Sequence, residues 1–386
     1  MSRLEELIFQ YCPNGVEVKK LREVSYMQRG TSLTKAKAVK GDIPVISGGK
    51  EPAFYCNSSN RHGETITVAG SGAGAGYVQY WNIPIFANDC FTVKGNKFAE
   101  TKYLYYFMTN IQDKISDTKK GGGVPHVHIS DVENFSLPVP PLEIQREIVH
   151  ILDNFTELTA ELTAELTARK KQYEFYRNKL LTFDNNVKIV PLADIADIGT
   201  GSSNTYEGLE EGKYPFYVRS QEPLRKNEYE YDETAIITAG DGVGVGKVFH
   251  YIEGKYALHQ RAYRIHINTP DVLPRYYFHY MRAAFLPYIQ KTMFQGSVAS
   301  VRRPMLNKFP VPVPPLDTQK RLVNVLDNFE SICTDLNIGL PAEIEARQKQ
   351  YEYYRDLLLT FAAEGATILT DRQTDRQTDR QTDRQT

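Results

Sequence analysis

The sequence predicts an α+β protein written twice: two mixed α/β globules, each followed by a long helical segment. Three observations predict it. FSLPVPPLEIQREIVHILDNF, starting at Phe135, returns as FPVPVPPLDTQKRLVNVLDNF, starting at Phe309. ARKKQYEFYRNKLLTF at Ala168 returns as ARQKQYEYYRDLLLTF at Ala346. Between the blocks of the first copy a four-residue word, T-A-E-L, is iterated from Thr156 to Lys171. The first pair is offset by 174 residues and the second by 178, so the connectors differ by four residues, one repeat of the word. Internal repetition on this scale decides the architecture before any local propensity does.

The totals agree. A chain of 386 residues is long enough for two cores at about 100–200 residues per domain. With 46 Lys plus Arg against 47 Asp plus Glu, net charge argues neither for nor against a nucleic-acid partner. Cys12, Cys56, Cys90 and Cys333 sit far apart and form no C-x-x-C pair. They suit unpaired thiols in a reducing cytoplasm better than a disulfide framework or a zinc site. MSRLEELIFQYC carries two Glu in a short apolar run, unlike a secretory signal, and no apolar run approaches the roughly 18 residues that cross a bilayer. A cytoplasmic, soluble protein is expected.

In chain order, residues 1–15 form a short leading segment and 16–134 the first globule. Within it ETITVA (Glu64–Ala69) and YVQYW (Tyr77–Trp81) read as strands, rich in β-branched and aromatic residues and bounded by turn formers. GSGAGAG (Gly70–Gly76) lies between them. A dinucleotide or phosphate loop needs a helix after the glycines. A strand follows here, so a hairpin with positive-φ glycines is the better reading, with backbone approach to nucleic-acid phosphates as the functional alternative.

Residues 135–185 form the first helical spacer. Pro140-Pro141 suit a helix start. Leu142, Ile148, Ile151, Leu152 and Phe155 then fall at spacings of three and four, and Leu158, Leu162 and Leu166 continue the stripe. Ala, Leu and Glu favour helix and no Gly or Pro interrupts, which predicts one helix from about Leu142 to Thr182. Its stripe requires a partner, for which the matching helix of the second half is the obvious candidate.

The second globule, 186–308, matches the first more faintly: IITAGDGVGVGKVFHY from Ile236 aligns with ITVAGSGAGAGYVQYW from Ile66, and AIITA (Ala235–Ala239) reads as strand. The second glycine loop ends in Lys247 but lacks the following Ser or Thr of a phosphate loop. RYYFH from Arg275 aligns with KYLYY from Lys102, and GSVASVRR from Gly296 with GGGVPHVH from Gly121. Where the first copy has His126 and His128, the second has Ser300, Arg302 and Arg303 nearby, and an unspecific surface loop is the plain alternative. Arg cannot replace His as a metal ligand, so base or phosphate contacts fit better than a metal site. Asn88-Asp89 and Gln260-Arg261 also correspond, as base readers or turn caps.

Residues 309–362 form the second helical spacer, where Leu316, Leu322, Leu326 and Phe329 repeat the apolar stripe, and Gly339 with Pro341 should break or kink the helix. The tail, 363–386, includes TDRQTDRQTDRQTDRQT and has no apolar residue from Thr370 on, so disorder is expected there. T-D-R-Q can be coded as ACA-GAC-AGA-CAG, one tetranucleotide read through all three frames, which suggests phase-variable expression. T-A-E-L cannot arise that way.

There is no N-P-P-Y base-pocket motif, no complete phosphate loop and no nucleophile constellation, so binding is favoured over catalysis. The duplicated PVPPLEIQREIVHILDNF and QYEFYRNKLLTF blocks, with T-A-E-L between them, resemble the specificity subunit of type I restriction–modification enzymes over Met1 to Phe361. The resemblance implies two target-recognition domains, each reading one half of a split double-stranded DNA site, separated by two long antiparallel helices. It also implies docking of two modification (methyltransferase) subunits holding S-adenosylmethionine. Restriction subunits using ATP and Mg would join them, leaving no cofactor, metal or catalytic residue in this chain. The expected DNA contacts are Ser71, Tyr77, Gln79, Asn88, His126, His128, Lys247, Gln260, Arg261, Arg302 and Arg303. The expected spacer and docking residues are the two apolar stripes. The rivals are a coiled-coil scaffold without DNA specificity and a nucleotide-binding enzyme.

Overall fold

The computed structural model describes residues 3–121, 123–184, 186–292 and 300–360. The T-D-R-Q tail lies outside them. The chain divides into two compact units: residues up to Glu161 together with those from Ile344 onward, and Leu162–Glu343.

The first unit opens with helix α1 (Arg3–Tyr11), strand β1 (Val18–Lys20), a single turn α2 (Leu21–Val24) and β2 (Ser25–Arg29). Then come β3 (Ile43–Ile46), β4 (Phe54–Cys56), β5 (Thr65–Ala69), β6 (Val78–Trp81), β7 (Phe86–Ala87) and β8 (Cys90–Gly95). Helices α3 (Thr101–Asn110), α4 (Gln112–Asp117) and α5 (Ile129–Val132) and strand β9 (Ser136–Pro138) lead into the long helix α6 (Leu142–Leu180). A four-stranded sheet has the order β2-β8-β5-β6, and a three-stranded sheet the order β4-β3-β7. Every residue of β5 is buried. Its two threonines are tolerated there because Thr67 Oγ1 accepts Trp81 Nε1 at 3.0 Å and Thr65 Oγ1 donates to Gly63 O at 3.1 Å.

The second unit holds β10 (Lys188–Pro191), β11 (Ala196–Thr200), β12 (Tyr214–Tyr217), β13 (Leu224–Lys226), β14 (Tyr231–Ala239), β15 (Phe249–Leu258) and β16 (Ala262–Ile267). They are followed by α7 (Pro274–Thr292), α8 (Arg303–Asn307), β17 (Pro310–Val313) and α9 (Leu316–Thr334); α10 (Leu340–Thr360) comes last. One six-stranded sheet, β11-β16-β14-β15-β12-β13, does the work of both sheets of the first unit. The reason is β15. It pairs antiparallel with β14 along Phe249–Tyr256 and parallel with β12 at Ala257 and Leu258, whereas the first unit uses the separate strands β6 and β7 for those two partners.

The duplicated frame is held by the same bonds in each unit. Gln145 is fully buried; its Nε2 donates to Phe98 O (2.8 Å) and Pro140 O (2.7 Å), and its Oε1 accepts Glu100 N at 2.9 Å. Gln319 repeats this with Asp271 O (2.8 Å), Pro314 O (2.8 Å) and Leu273 N (2.9 Å). Tyr103 donates to Pro138 O and Tyr276 to Pro312 O, both at 2.9 Å. Lys102 and Tyr106 grip Asp153, as Arg275 and His279 grip Asp327.

The helical spacers do not stand apart from the units. Ile144, Ile148 and Leu152 of α6 are buried in the first unit's core with Leu358 and Leu359 of α10, and Ile151 packs against it. Phe155 stacks on Tyr354 with centroids 5.5 Å apart. The far end of α6 contributes Tyr173 and Leu166 to the second unit's core, alongside Leu322, Leu326 and Phe329 of α9. Much of the stripe expected to dock other subunits is therefore consumed inside this chain. Ile148, Leu152 and Leu326 have at most 1% exposure and are removed from any partner. Leu142, Leu158 and Leu162 are half-buried, and Leu316 is 38% exposed.

The helix α6 runs unbroken as expected, ending at Leu180 rather than Thr182. The second spacer is two helices. Its break starts before Gly339, because Asp335 Oδ1 captures the N–H groups of Asn337 (2.7 Å) and Ile338 (3.2 Å) and ends α9. Gly339 then fits where a Cβ would lie 2.6 Å from both Asp335 O and Ser331 O.

Candidate nucleic-acid interface

Both glycine loops join antiparallel strands, β5 to β6 and β14 to β15, so they are hairpin connections and not phosphate loops. Gly72 and Gly76 have φ of +82° and +81°, and Gly242 and Gly246 have +81° and +69°. These values favour glycine. Gly74 and Gly244 are required for space: a Cβ would lie 2.3 Å from Gly48 O and 2.5 Å from Arg219 O, respectively.

Each hairpin forms one wall of a pocket. In the first unit, Val127 N donates to Gly70 O and Gly70 N to Asp89 O. The pocket, about 190 Å³, is lined by Arg29, Asn88, Asp89, His126 and His128 among others. In the second unit, Val301 N donates to Gly240 O and Gly240 N to Arg261 O. There the pocket is about 310 Å³, lined by Asp241, Gln260, Arg261, Arg302 and Arg303 among others. The same backbone scaffold thus builds the same hollow twice. The first presents one guanidinium, one carboxylate and two imidazoles; the second presents three guanidiniums and one carboxylate.

Seven of the expected contact residues, Asn88, His126, His128, Gln260, Arg261, Arg302 and Arg303, line these two pockets, and Ser71 bonds into the first. Ser71 Oγ donates to Asp89 Oδ2 in a short contact. His126 and His128 are exposed on either side of buried Val127, their rings near-parallel at 7° and 6.0 Å apart. Arg303 donates to Ile198 O. Asp241 Oδ1 accepts Arg219 Nη1 at 2.6 Å and its Oδ2 accepts Arg261 Nη1 at 3.2 Å. Partial burial would raise the Asp241 pKa, but the Arg219 and Arg261 guanidiniums outweigh it and hold the carboxyl below its ordinary value.

Some expected readers are committed elsewhere. Asn88 Oδ1 accepts Leu33 N at 2.8 Å and its Nδ2 donates to Ser47 Oγ at 2.9 Å, so its amide ties loops together and keeps one lone pair and one N–H beyond those bonds. Gln260 Nε2 donates to Asn204 Oδ1, and Gln79 Nε2 to Lys50 O at 2.5 Å. Tyr77 lies under Lys50, whose Nζ is 5.2 Å from the ring centroid. Lys247 is exposed and does not line the second pocket. Sequence reasoning passed over Arg219, Asp241 and the acceptor role of Asp89. Their only signal was position: Asp241 stands where the first hairpin has Ser71.

Among the described residues one group of side chains, His279, Asp327 and Glu330, lies close enough to hold a metal ion. Arg275 is 2.8 Å from Asp327 and 3.2 Å from Glu330, and Arg282 also pairs with Glu330. Those guanidiniums already neutralise both carboxylates, so the cluster is a clasp between α7 and α9. No helix of the described residues is long and apolar enough to cross a membrane.

Comparison with known proteins supplies the family. Residues 13–169 and 184–346 each match the profile of the type I restriction modification DNA specificity domain. A putative type I restriction enzyme specificity subunit of Haemophilus influenzae is 30% identical, over 90% of this chain and 96% of that protein. A type I restriction enzyme specificity subunit of Escherichia coli is 31% identical, over 94% and 97%. The crystal structure of a type I restriction-modification S subunit from M. genitalium covers 90% of this chain and 97% of its own, with a TM-score of 0.62 at 17% identity, a likeness of fold. Two copies of that domain, with relatives that match over nine-tenths or more of both sequences, make this chain a member of the type I restriction–modification specificity-subunit family.

Proposed function

We infer that this chain supplies the DNA sequence specificity of a type I restriction–modification complex and performs no catalysis itself. Each unit reads one half of a bipartite double-stranded site through its hairpin pocket. The helical spacers, running antiparallel, set the unspecified gap and dock two modification subunits. S-adenosylmethionine, ATP and Mg belong to the partner modification and restriction subunits, and the assembly works in the cytoplasm. The observation that carries this reading is the pair of homologous pockets with unlike side chains: one frame, two different readers. A scaffold without DNA specificity has no use for that divergence.

The T-A-E-L run acts in this reading as a ruler. Four helical residues add about 6 Å and a net turn of about 40°. One base pair adds about 3.4 Å and turns roughly 34–36°. The rotations match, and tilt or DNA distortion absorbs the excess length. Methylome sequencing of a host with and without this gene tests the whole reading. A bipartite adenine-methylated motif should vanish with the gene, and an unchanged methylome refutes the assignment.

A further inference from the structure

Two corresponding positions interact in both units with their polarity reversed. In the first, position 71 is the donor and position 89 the acceptor: Ser71 Oγ donates to Asp89 Oδ2. In the second, position 241 is the acceptor and position 261 the donor: Asp241 Oδ2 accepts Arg261 Nη1 at 3.2 Å. Gly70 N to Asp89 O and Gly240 N to Arg261 O fix the two backbones identically, so these are one device with two settings. The outward-facing member differs accordingly. Asp89 is exposed and keeps Oδ1 without a hydrogen bond among the described residues. Arg261 has a side chain 62% exposed, with Nη2 and Nε donating to nothing among the described residues. Asp241 is itself held by Arg219 at 2.6 Å, and His259 Nδ1 accepts Arg261 N at 2.9 Å. The guanidinium is thus anchored at one nitrogen while its remaining donors stay unpaired among the described residues.

Base edges in the major groove sort by the same polarity. A guanidinium fork pairs with the O6 and N7 acceptors of guanine, and a carboxylate accepts from the exocyclic amine of cytosine. We propose that Arg261 is the guanine-reading side chain of the second unit, positioned by Asp241, and that Asp89, positioned by Ser71, reads a cytosine amine in the first. This rests on the DNA-specificity reading above and adds which bases each half-site must contain. Arg302 and Arg303, exposed beside the same pocket, remain available for phosphates.

The test uses the intact complex with modification subunits and methylome or binding-selection sequencing. Arg261→Gln should remove the guanine requirement at one position of one half-site, with discrimination there falling about 5- to 150-fold and the other half-site unchanged. Asp241→Asn should relax the same position to a lesser degree, which a merely structural role would not do. Asp89→Asn should relax a cytosine in the opposite half-site. The unaffected half-site reports folding and assembly within each experiment. The double variant Asp241→Ser with Arg261→Asp should convert the guanine to cytosine. A motif unchanged in Arg261→Gln, or one relaxed equally in both halves, overturns the proposal. If the native complex gives no bipartite motif, the functional reading fails first, and the two failures are told apart.

Discussion

Helix α10 follows the second unit in sequence, yet its buried leucines serve the first. Leu359 is 1% exposed and clusters with Ile144, Ile148 and Leu152. Leu359→Ala should therefore cost about 3–5 kcal/mol, lost transfer energy plus an unfilled cavity. For a body of about 150–250 residues that corresponds to roughly 6–20 °C in Tm. Hydrogen exchange read peptide by peptide is the assay. Peptides covering β3, β5 and β8 should lose protection, while those covering β14 and β16 should not. Leu326→Ala in α9, also 1% exposed but in the other core, should give the mirror result. Loss of protection in β14 and β16 on Leu359→Ala, with β5 untouched, would refute the assignment of α10 to the first unit.

Other outcomes follow from the same geometry. Insertion of one T-A-E-L unit into α6 should lengthen the methylated motif's gap by about one base pair with both half-sites kept, readable in the methylome. Acidification should weaken the second unit. Burial pushes the pKa values of His250, His259 and His279 down, against the opposing hydrogen bond from His279 to Asp327. The unfolded chain takes up protons below about pH 6.5 that the folded unit refuses. Stability is therefore intact above that pH and falls as pH drops below it; His279→Gln should flatten the slope in thermal melts. Gly242→Ala, with open space but positive φ, should cost about 1–2 kcal/mol. Gly244→Ala, facing Arg219 O at 2.5 Å, should cost more, by denaturant titration.

The helices were legible because their signals are local. A 3.6-residue period, a proline pair and the absence of breakers fix α6 from neighbouring residues alone. The hairpins were legible because a strand on both sides of the glycines excludes a phosphate loop. The working side chains were only half legible. Asn88 looked like a base reader, but the long-range partners Leu33 and Ser47 hold its amide. The reversed pairs 71–89 and 241–261 depend on contacts across about twenty residues of chain, which no local pattern encodes. Buried Gln145 and Gln319 carry no local signal of their role, because the backbone groups they satisfy at Phe98 and Asp271 lie more than forty residues away in sequence.

Because the first unit draws Ile144, Ile148 and Leu152 from α6 and Leu358 and Leu359 from α10, its completion depends on the order of synthesis. On the ribosome the second unit has all of its residues by Glu343, while the unit begun first still waits for α10. At about 5–20 residues per second, its apolar face stands open for the time needed to make some two hundred residues. A nascent chain stalled before Tyr351 would hold a finished later unit and an unfinished earlier one. Chaperone contacts should accordingly concentrate on the N-terminal half.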